Sequence, residues 1–428
     1  MKRSALWCIA LMLAGVSTAR AQGLTMQMSN GWSFTFTGNV NAFLVYTNGS
    51  VDSVAPGAPG IDGGLVGPER VTRIRTGLLP GFANFEAAGK EGDLDLKVHF
   101  GFAPQINSNS LHDNFGAQID MREVYLTLGG SWGTILAGRE LGLFQRQNIL
   151  TDMTLFGTGA SGGTLGAGGT TLGRIGFGYV YPNFNAQITY STPAGRPTQF
   201  AIGLFDPSVV CGPSPCAAAT DASYQGTRLP RVEAELSWTG NMGASSASGQ
   251  MASADKIMLW VNGTWQNTNL SAVSTPDSNP SINSAGVGGG VKVDVNGFSL
   301  VGSGYYGSGI GTTLMFGQLD GSAIDPALQA RKSWGYLGQV QYSQPGTHWT
   351  IGGSWGESHL DESDGDKAFL DGDPDPLVKY NRAADVMLTY QWTKSLRWVL
   401  EYTWARAASY AGSQNTSNQG ATGFMLFF

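Results

Sequence analysis

The chain of 428 residues carries 25 Lys+Arg against 31 Asp+Glu, a net charge of −6, and only 13% of it is charged, about half the quarter usual in globular proteins. It holds 62 glycines and 42% hydrophobic residues, yet no apolar run reaches the ~18 residues of a membrane helix. A disordered chain, a helical transporter and an acidic-surfaced nucleic-acid binder are thereby excluded, leaving a large β protein, either a secreted sandwich or a closed barrel.

The first 21 residues read as an export signal. Lys2 and Arg3 form the positive end, Ala5 to Val16 the apolar stretch, and Ala19-Arg20-Ala21 the small-residue site, placing cleavage before Gln22 and leaving residues 22–428 as one domain. Removal of three positive charges gives the mature chain 22 bases, 31 acids and a net charge of −9. From Trp32 onward the apolar residues recur at every second position. Trp32, Phe34, Phe36, Val40, Leu44 and Tyr46 alternate with Ser33, Thr35, Thr37, Asn39 and Asn41. Leu94, Leu96, Val98, Phe100 and Phe102 alternate with Asp95, Lys97 and His99, and Trp398, Leu400, Tyr402 and Trp404 with Arg397, Glu401 and Thr403. Each strand therefore has one apolar and one polar face.

The connections alternate in length. Tight turns at 89–92, 129–131, 296–297, 344–346 and 393–395 separate long Gly/Ser/Asp-rich stretches near 48–70, 104–116, 140–172, 206–228, 268–282, 309–332, 358–379 and 408–419. That alternation, with Trp238, Trp349, Trp392 and Trp398 beside short turns, is the pattern of an outer-membrane barrel. Sixteen strands are expected, at 31–47, 71–87, 93–103, 117–129, 132–140, 173–182, 185–205, 229–239, 255–267, 283–295, 298–308, 333–343, 349–357, 380–392, 396–407 and 420–428. An even count puts both termini on one side, and sixteen staves leave an aqueous lumen. Residues 193–197, Pro-Ala-Gly-Arg-Pro, are either a kink in the seventh strand or a turn, and a turn disturbs the count. Cys211 and Cys216 stand close enough for a small disulfide loop in an oxidising compartment.

Residues 121–139, MREVYLTLGGSWGTILAGR, resemble the Gram-negative porin family: an Arg-aromatic-Leu strand, a Gly-rich turn and a strand ending Gly-Arg. Arg174 to Pro182 with Phe184 is similar to the family's next strand and turn, and Phe428 to its C-terminal assembly signal. The resemblance implies an all-β, antiparallel transmembrane barrel whose third loop, 140–172, folds into the pore. It implies a homotrimer without cofactor in the outer membrane of a Gram-negative bacterium, reached by Sec-type export, with lipid, lipopolysaccharide and the assembly machinery as partners. It further implies passive diffusion of small hydrophilic solutes and ions, or a substrate-specific channel. The family's acidic loop tip is replaced here by a glycine-rich run from Thr158 to Gly173.

Arg73, Arg75, Arg122, Arg139 and Arg174 are the candidate pore-lining residues, because a guanidinium facing lipid costs ~2–4 kcal/mol at the midplane. If Arg122 faces inward, Glu123 faces outward, which demands a subunit interface or a bulge. Asp152 and Glu140 are expected opposite the arginines on the infolded loop. The loop acids Asp361 to Asp375 lie beyond a Debye length of ~8 Å from the constriction, so weak anion preference is expected despite the net charge. Asp371-x-Asp373-x-Asp375 lacks the glycine and glutamate of a calcium loop, so no metal site is assigned. No serine motif singles out His99, His112, His348 or His359, so no catalytic residue is assigned. An outer-membrane hydrolase and a lumen-plugged anchor or adhesin are the alternatives.

Overall fold

The computed structural model describes residues 23–57, 60–107, 119–162, 169–212, 227, 229–243, 255–269, 281–318 and 320–428, and the expected export signal, residues 1–21, lies outside them. Strands β1 (Leu24–Gln27), β2 (Ser33–Ser53), β3 (Arg70–Arg75), β4 (Phe82–Glu91), β5 (Leu94–Pro104), β6 (Ile119–Gly130) and β7 (Gly133–Leu141) come first. A short helix α1 (Arg146–Thr151) and a 3₁₀ turn (Met153–Phe156) precede β8 (Phe184–Ser191), β9 (Thr198–Phe205), β10 (Arg231–Asn241), β11 (Lys256–Asn269), β12 (Ser281–Val295) and β13 (Phe298–Ser308). The chain ends with β14 (Lys332–Ser343), β15 (Trp349–Leu360), helix α2 (Asp364–Leu370), β16 (Val378–Gln391), β17 (Leu396–Ser409) and β18 (Gln414–Phe427).

From β4 onward each strand pairs antiparallel with the next, β2 pairs with β3 and β4, and β18 pairs with β2 over Asn39–Ser53, which closes the sheet. β3 and β4 lie end to end along the same edge of β2. β1 occupies the other edge of β2 beyond the terminus of β18. The wall is therefore a closed barrel of 16 staves. The expected number is reached through two differences that cancel.

Residues 173–182 form no strand. Gly173, Gly176 and Gly178 have φ of 58°, 76° and 144°, conformations outside the β region. The alternation of Ile175, Phe177 and Tyr179 is real, but it serves packing inside the barrel, where all three are buried. The expected strand 185–205 is in turn two strands, because 193–197 is a turn with Gly195 at φ 83°. The expected strand 71–87 is broken at 76–81, where Gly77 N–H goes to Asn41 Oδ1 and Leu78 N–H to Gly157 O instead of to a ladder. The connection expected at 408–419 shrinks to a hairpin between Ser409 and Gln414.

The outward face is apolar, with Leu44, Ile74, Ile188, Val261, Ile351, Val386 and Leu400 all exposed. Rings gather at the short-turn end: Trp349 against Tyr390 at 4.5 Å, Phe298 against Tyr342 at 4.5 Å, and Trp132 against Tyr190 at 6.4 Å. Inward positions are polar on β4–β6, where Glu86, Lys97, His99 and Glu123 stand. On β16–β18 and β2 they are mixed: Phe43, Val45, Ala383, Met387, Val399, Ala405 and Ala421 are buried there beside Asn41, Asp385, Arg397, Glu401 and Gln419. The apolar residues on that inward face are there because chain packs against them from inside.

A one-residue slip would exchange the two faces. Val98→Cys is expected to react with a lipid-soluble maleimide in reconstituted protein, and Lys97→Cys with a membrane-impermeant one. The reverse labelling would show that β5 is misplaced by one residue.

Candidate channel interior

The segment joining β7 to β8 enters the barrel and is fastened to the far wall. Glu233 Oε2 on β10 accepts from Leu143 N and Phe144 N at 2.7 and 3.0 Å. Glu235 takes Gln147 Nε2 at 2.9 Å and pairs with Arg146. Gln339 Oε1 on β14 receives Met153 N at 3.1 Å. The tightest tie is Glu401 on β17. Its carboxylate accepts from Thr158 N at 2.6 Å, Thr158 Oγ1 at 2.7 Å and Gly159 N at 2.7 Å, and Gln419 Nε2 donates to Gly159 O at 2.6 Å. Backbone N–H groups that enter a lumen without a ladder need acceptors, and inward carboxylates supply them.

A second segment, between β13 and β14, folds into the mouth at the end of the long connections. Ser333 Oγ donates to Gly311 O at 2.7 Å, and Tyr181 N of the first segment donates to Thr313 O at 2.8 Å. Phe316, Met315, Ile310 and Ile324 are buried with Phe144 and Val180. This stretch was expected to be an outer loop.

The five arginines part company. Arg73 and Arg75 point inward, paired across β2 with Val45 and Phe43; Arg75 Nη2 donates to Gly169 O at 2.8 Å. Arg174, fully buried, lies on the infolded segment rather than on a strand and donates to Ser354 O at 2.9 Å. Arg139 does not line the lumen. It is exposed beside Ala186 and Val124, on the face that carries Ile188, because β7 turns Glu140 inward opposite Asn185. Arg122 sits at a bulge where Gly101 pairs with Glu123 and Phe102 with Met121, so its parity with Glu123 is uncoupled. Glu123 faces inward to His99 Nε2 at 3.0 Å, while Arg122 donates to Asp120 Oδ2 at 2.8 Å and Tyr181 Oη at 3.3 Å.

Glu140 is a wall residue rather than a loop residue; it is buried and accepts from Leu141 N at 2.9 Å. Asp152 does lie on the infolded segment, where it accepts from Thr154 N, Thr154 Oγ1 and Tyr179 Oη at 2.9, 2.8 and 2.7 Å. Arg397, inward on β17, stacks over Phe156 at 4.6 Å. Phe428 exchanges backbone hydrogen bonds with Gly38 and packs its ring on Phe36 at 5.1 Å. Cys211 is disulfide-bonded; Cys216 lies outside the described residues. Of the histidines, His359 stacks on Trp334 at 3.9 Å and bonds Glu357, His348 lies near Tyr390, and His112 is outside the described residues.

The acidic stretch 361–375 is partly folded. Ser363 and Asp366 form a capping box on α2, and buried Asp366 pairs with Arg331 at 2.7 Å. Burial opposes the charge of Asp366, but the hydrogen bonds from Arg331 and Ser363 outweigh it and hold its pKa below the usual carboxylate range. Asp375 goes the other way: burial, opposed by the Leu377 N–H and reinforced by Glu362, pushes it up to about 6. The capping box is a local feature, a Ser-x-x-Asp spacing within one turn. Glu401, Glu233 and Glu235 were legible only as inward positions.

Two outcomes follow from these contacts. Glu401→Ala leaves two backbone N–H groups and a hydroxyl without their acceptor, at ~1–3 kcal/mol each. Proteolysis near residue 158 and baseline current noise are expected to rise while the barrel remains heat-modifiable; unchanged protease resistance counts against the tie. A carboxyl raised in the folded state favours folding when protonated, so its contribution is full below the unfolded value and is lost as pH rises through about 6. The segment around Asp375 is therefore expected to gain protease resistance below pH ~6, and Asp375→Asn to keep that resistance at pH ~7.5.

A family model described as Gram-negative porin matches residues 5–424. Among solved structures, the outer membrane channel DcaP of Acinetobacter baumannii is similar at 13% identity, with 94% of this chain and 99% of that chain covered and a TM-score of 0.66. The anion-selective porin from Comamonas acidovorans follows at 12% identity, 93% and 100% coverage and a TM-score of 0.55. OmpT of Vibrio cholerae, in vitro folded and in its trimer form, gives 10% identity, 93% and 100% coverage and a TM-score of 0.51. At these identities the structural likeness is one of fold. No curated protein matches the chain. With the family model spanning nearly its whole length and the closed barrel carrying an apolar outer face, the chain belongs to the Gram-negative porin family and forms a channel of the outer membrane.

Proposed function

We propose that the protein is a passive diffusion channel for small hydrophilic solutes and ions, assembled as a homotrimer and without catalytic activity. The observation that carries this reading is a closed barrel of 16 staves whose infolded segment is tied to the wall by Glu233, Glu235, Gln339 and Glu401. A wall that narrows the lumen without filling its polar side leaves water a path along Glu86, Lys97 and Glu123, which all retain exposure. The fold shared with the trimer form of Vibrio cholerae OmpT supports the trimer. The exposed acids Asp364, Asp371 and Asp373 suit divalent-cation bridges to lipopolysaccharide. The ring and backbone contacts of Phe428 with Phe36 and Gly38 support a role in docking the closing strand.

Weak anion preference follows from charge placement. Glu233, Glu235 and Glu401 are held by Arg231, Arg146 and backbone N–H groups, and Arg73 and Arg75 add two positive charges at successive inward positions of β3. A field confined between low-dielectric walls acts on a permeating ion more strongly than screened loop acids do. The fold shared with the anion-selective porin of Comamonas acidovorans accords with this.

Purified protein in planar bilayers is expected to give stepwise, ohmic conductance; silent insertion with lipid hydrolysis would replace the channel by an enzyme. Reversal potentials across a KCl gradient are expected to favour Cl⁻ modestly, and the double change Arg73→Ala, Arg75→Ala to move the ratio toward K⁺. Arg139→Ala, outside the lumen, is expected to leave the ratio unchanged. Deleting Phe428 is expected to lower outer-membrane yield, because an undocked closing strand leaves an open edge in lipid.

A further inference from the structure

One infolded segment is enough to narrow a barrel of this size, yet among the described residues a further long stretch, between β13 and β14, also turns inward. The segment 309–331 crosses the outer mouth from β13 and β14 to β10, where Phe316 lies beneath the Arg231 guanidinium at 5.6 Å. It is anchored at both ends and in the middle. Ser333 Oγ donates to Gly311 O at 2.7 Å, and Cys211 N donates to Phe316 O at 2.8 Å. Arg331 Nη1 donates to Gly321 O at 3.0 Å, and its Nη2 binds Asp366 on α2 at 2.7 Å. Internal bonds stiffen it further: Asp320 accepts from Thr312 Oγ1 at 2.9 Å and from Ser322 Oγ at 2.6 Å. Its apolar residues are buried against the first segment rather than exposed to the mouth. A loop with a packed core and a charge-assisted staple has the rigidity of a wall element.

We propose that residues 309–318 and 320–331 form a fixed second constriction, placed at the outer mouth and in series with the first. Solutes must then pass two narrowings, which makes this a size-selective, low-conductance channel rather than a wide general pore. The inference rests on the channel reading given above.

Replacement of residues 312–329 by a short Gly-Ser linker tests it, alongside Arg331→Ala, which removes only the staple, and Lys367→Ala on the exposed side of α2 as control. Each is checked for heat-modifiable migration and assayed for single-channel conductance and for liposome swelling with neutral sugars of increasing size. The linker variant is expected at least to double the conductance and to admit larger sugars, and Arg331→Ala to add fluctuating sub-states, while Lys367→Ala matches the wild type. A silent wild type with a conducting linker variant would also support the constriction. A folded linker variant with unchanged conductance and unchanged sugar cut-off would overturn the second constriction and leave the channel reading standing. Silence of every variant would overturn both.

Discussion

The structure depends on the need to pair every backbone N–H and C=O that faces lipid. A sheet in hydrocarbon meets that need only by closing, and closure here is the pairing of β18 with β2 from Asn39 to Ser53. The chain treats this seam with care. Below the end of β18, Phe428 still exchanges two backbone bonds with Gly38, and β1 then takes over the edge of β2. This edge of β2 is thus covered along a strand of 21 residues, well beyond the 9–11 a bilayer requires.

The same accounting governs the interior. Chain that leaves the sheet to enter the lumen gives up its ladder, so its amides must be met by side chains. Glu233, Gln339 and Glu401 accept from its N–H groups and Gln419 donates to the Gly159 carbonyl, while Glu235 holds the side chains of Arg146 and Gln147. Where the entering chain brings apolar residues instead, the wall answers with Phe43, Met387, Val399 and Ala421. Apolar residues on the inward face depart from the polar lumen usual in such walls, and here they mark the ground on which Leu155, Phe177 and Tyr179 rest.

Charge placement follows from strand parity, with one exception. Parity sends Glu140 inward and Arg139 outward on β7, whereas the bulge at Arg122 lets Glu123 reach His99 while Arg122 remains beside Asp120 and Tyr181. A single extra residue on β6 thus resolves a conflict that two adjacent opposite charges would otherwise create.

The sequence by itself determined whatever has a short period or a local signature. The strands, their outward faces, the tight turns and the capping box of α2 all depend on residues within a few positions of one another. The inward sides of Lys97, His99 and Glu401 were legible for the same reason. Only the tertiary structure decided what those inward groups hold, since Glu401 meets Thr158 across 243 residues of chain and no local pattern encodes that meeting. It also decided that Ile175, Phe177 and Tyr179 alternate in order to pack rather than to pair. Period two reports which side a residue faces, not what lies there, and positive φ at Gly176 and Gly178 is invisible until the backbone is placed. The second infolded segment was hidden on the same ground: a Gly/Ser-rich stretch between strands can run outward into water or turn inward, and the choice rests on distant partners such as Phe144, Arg231 and Asp366.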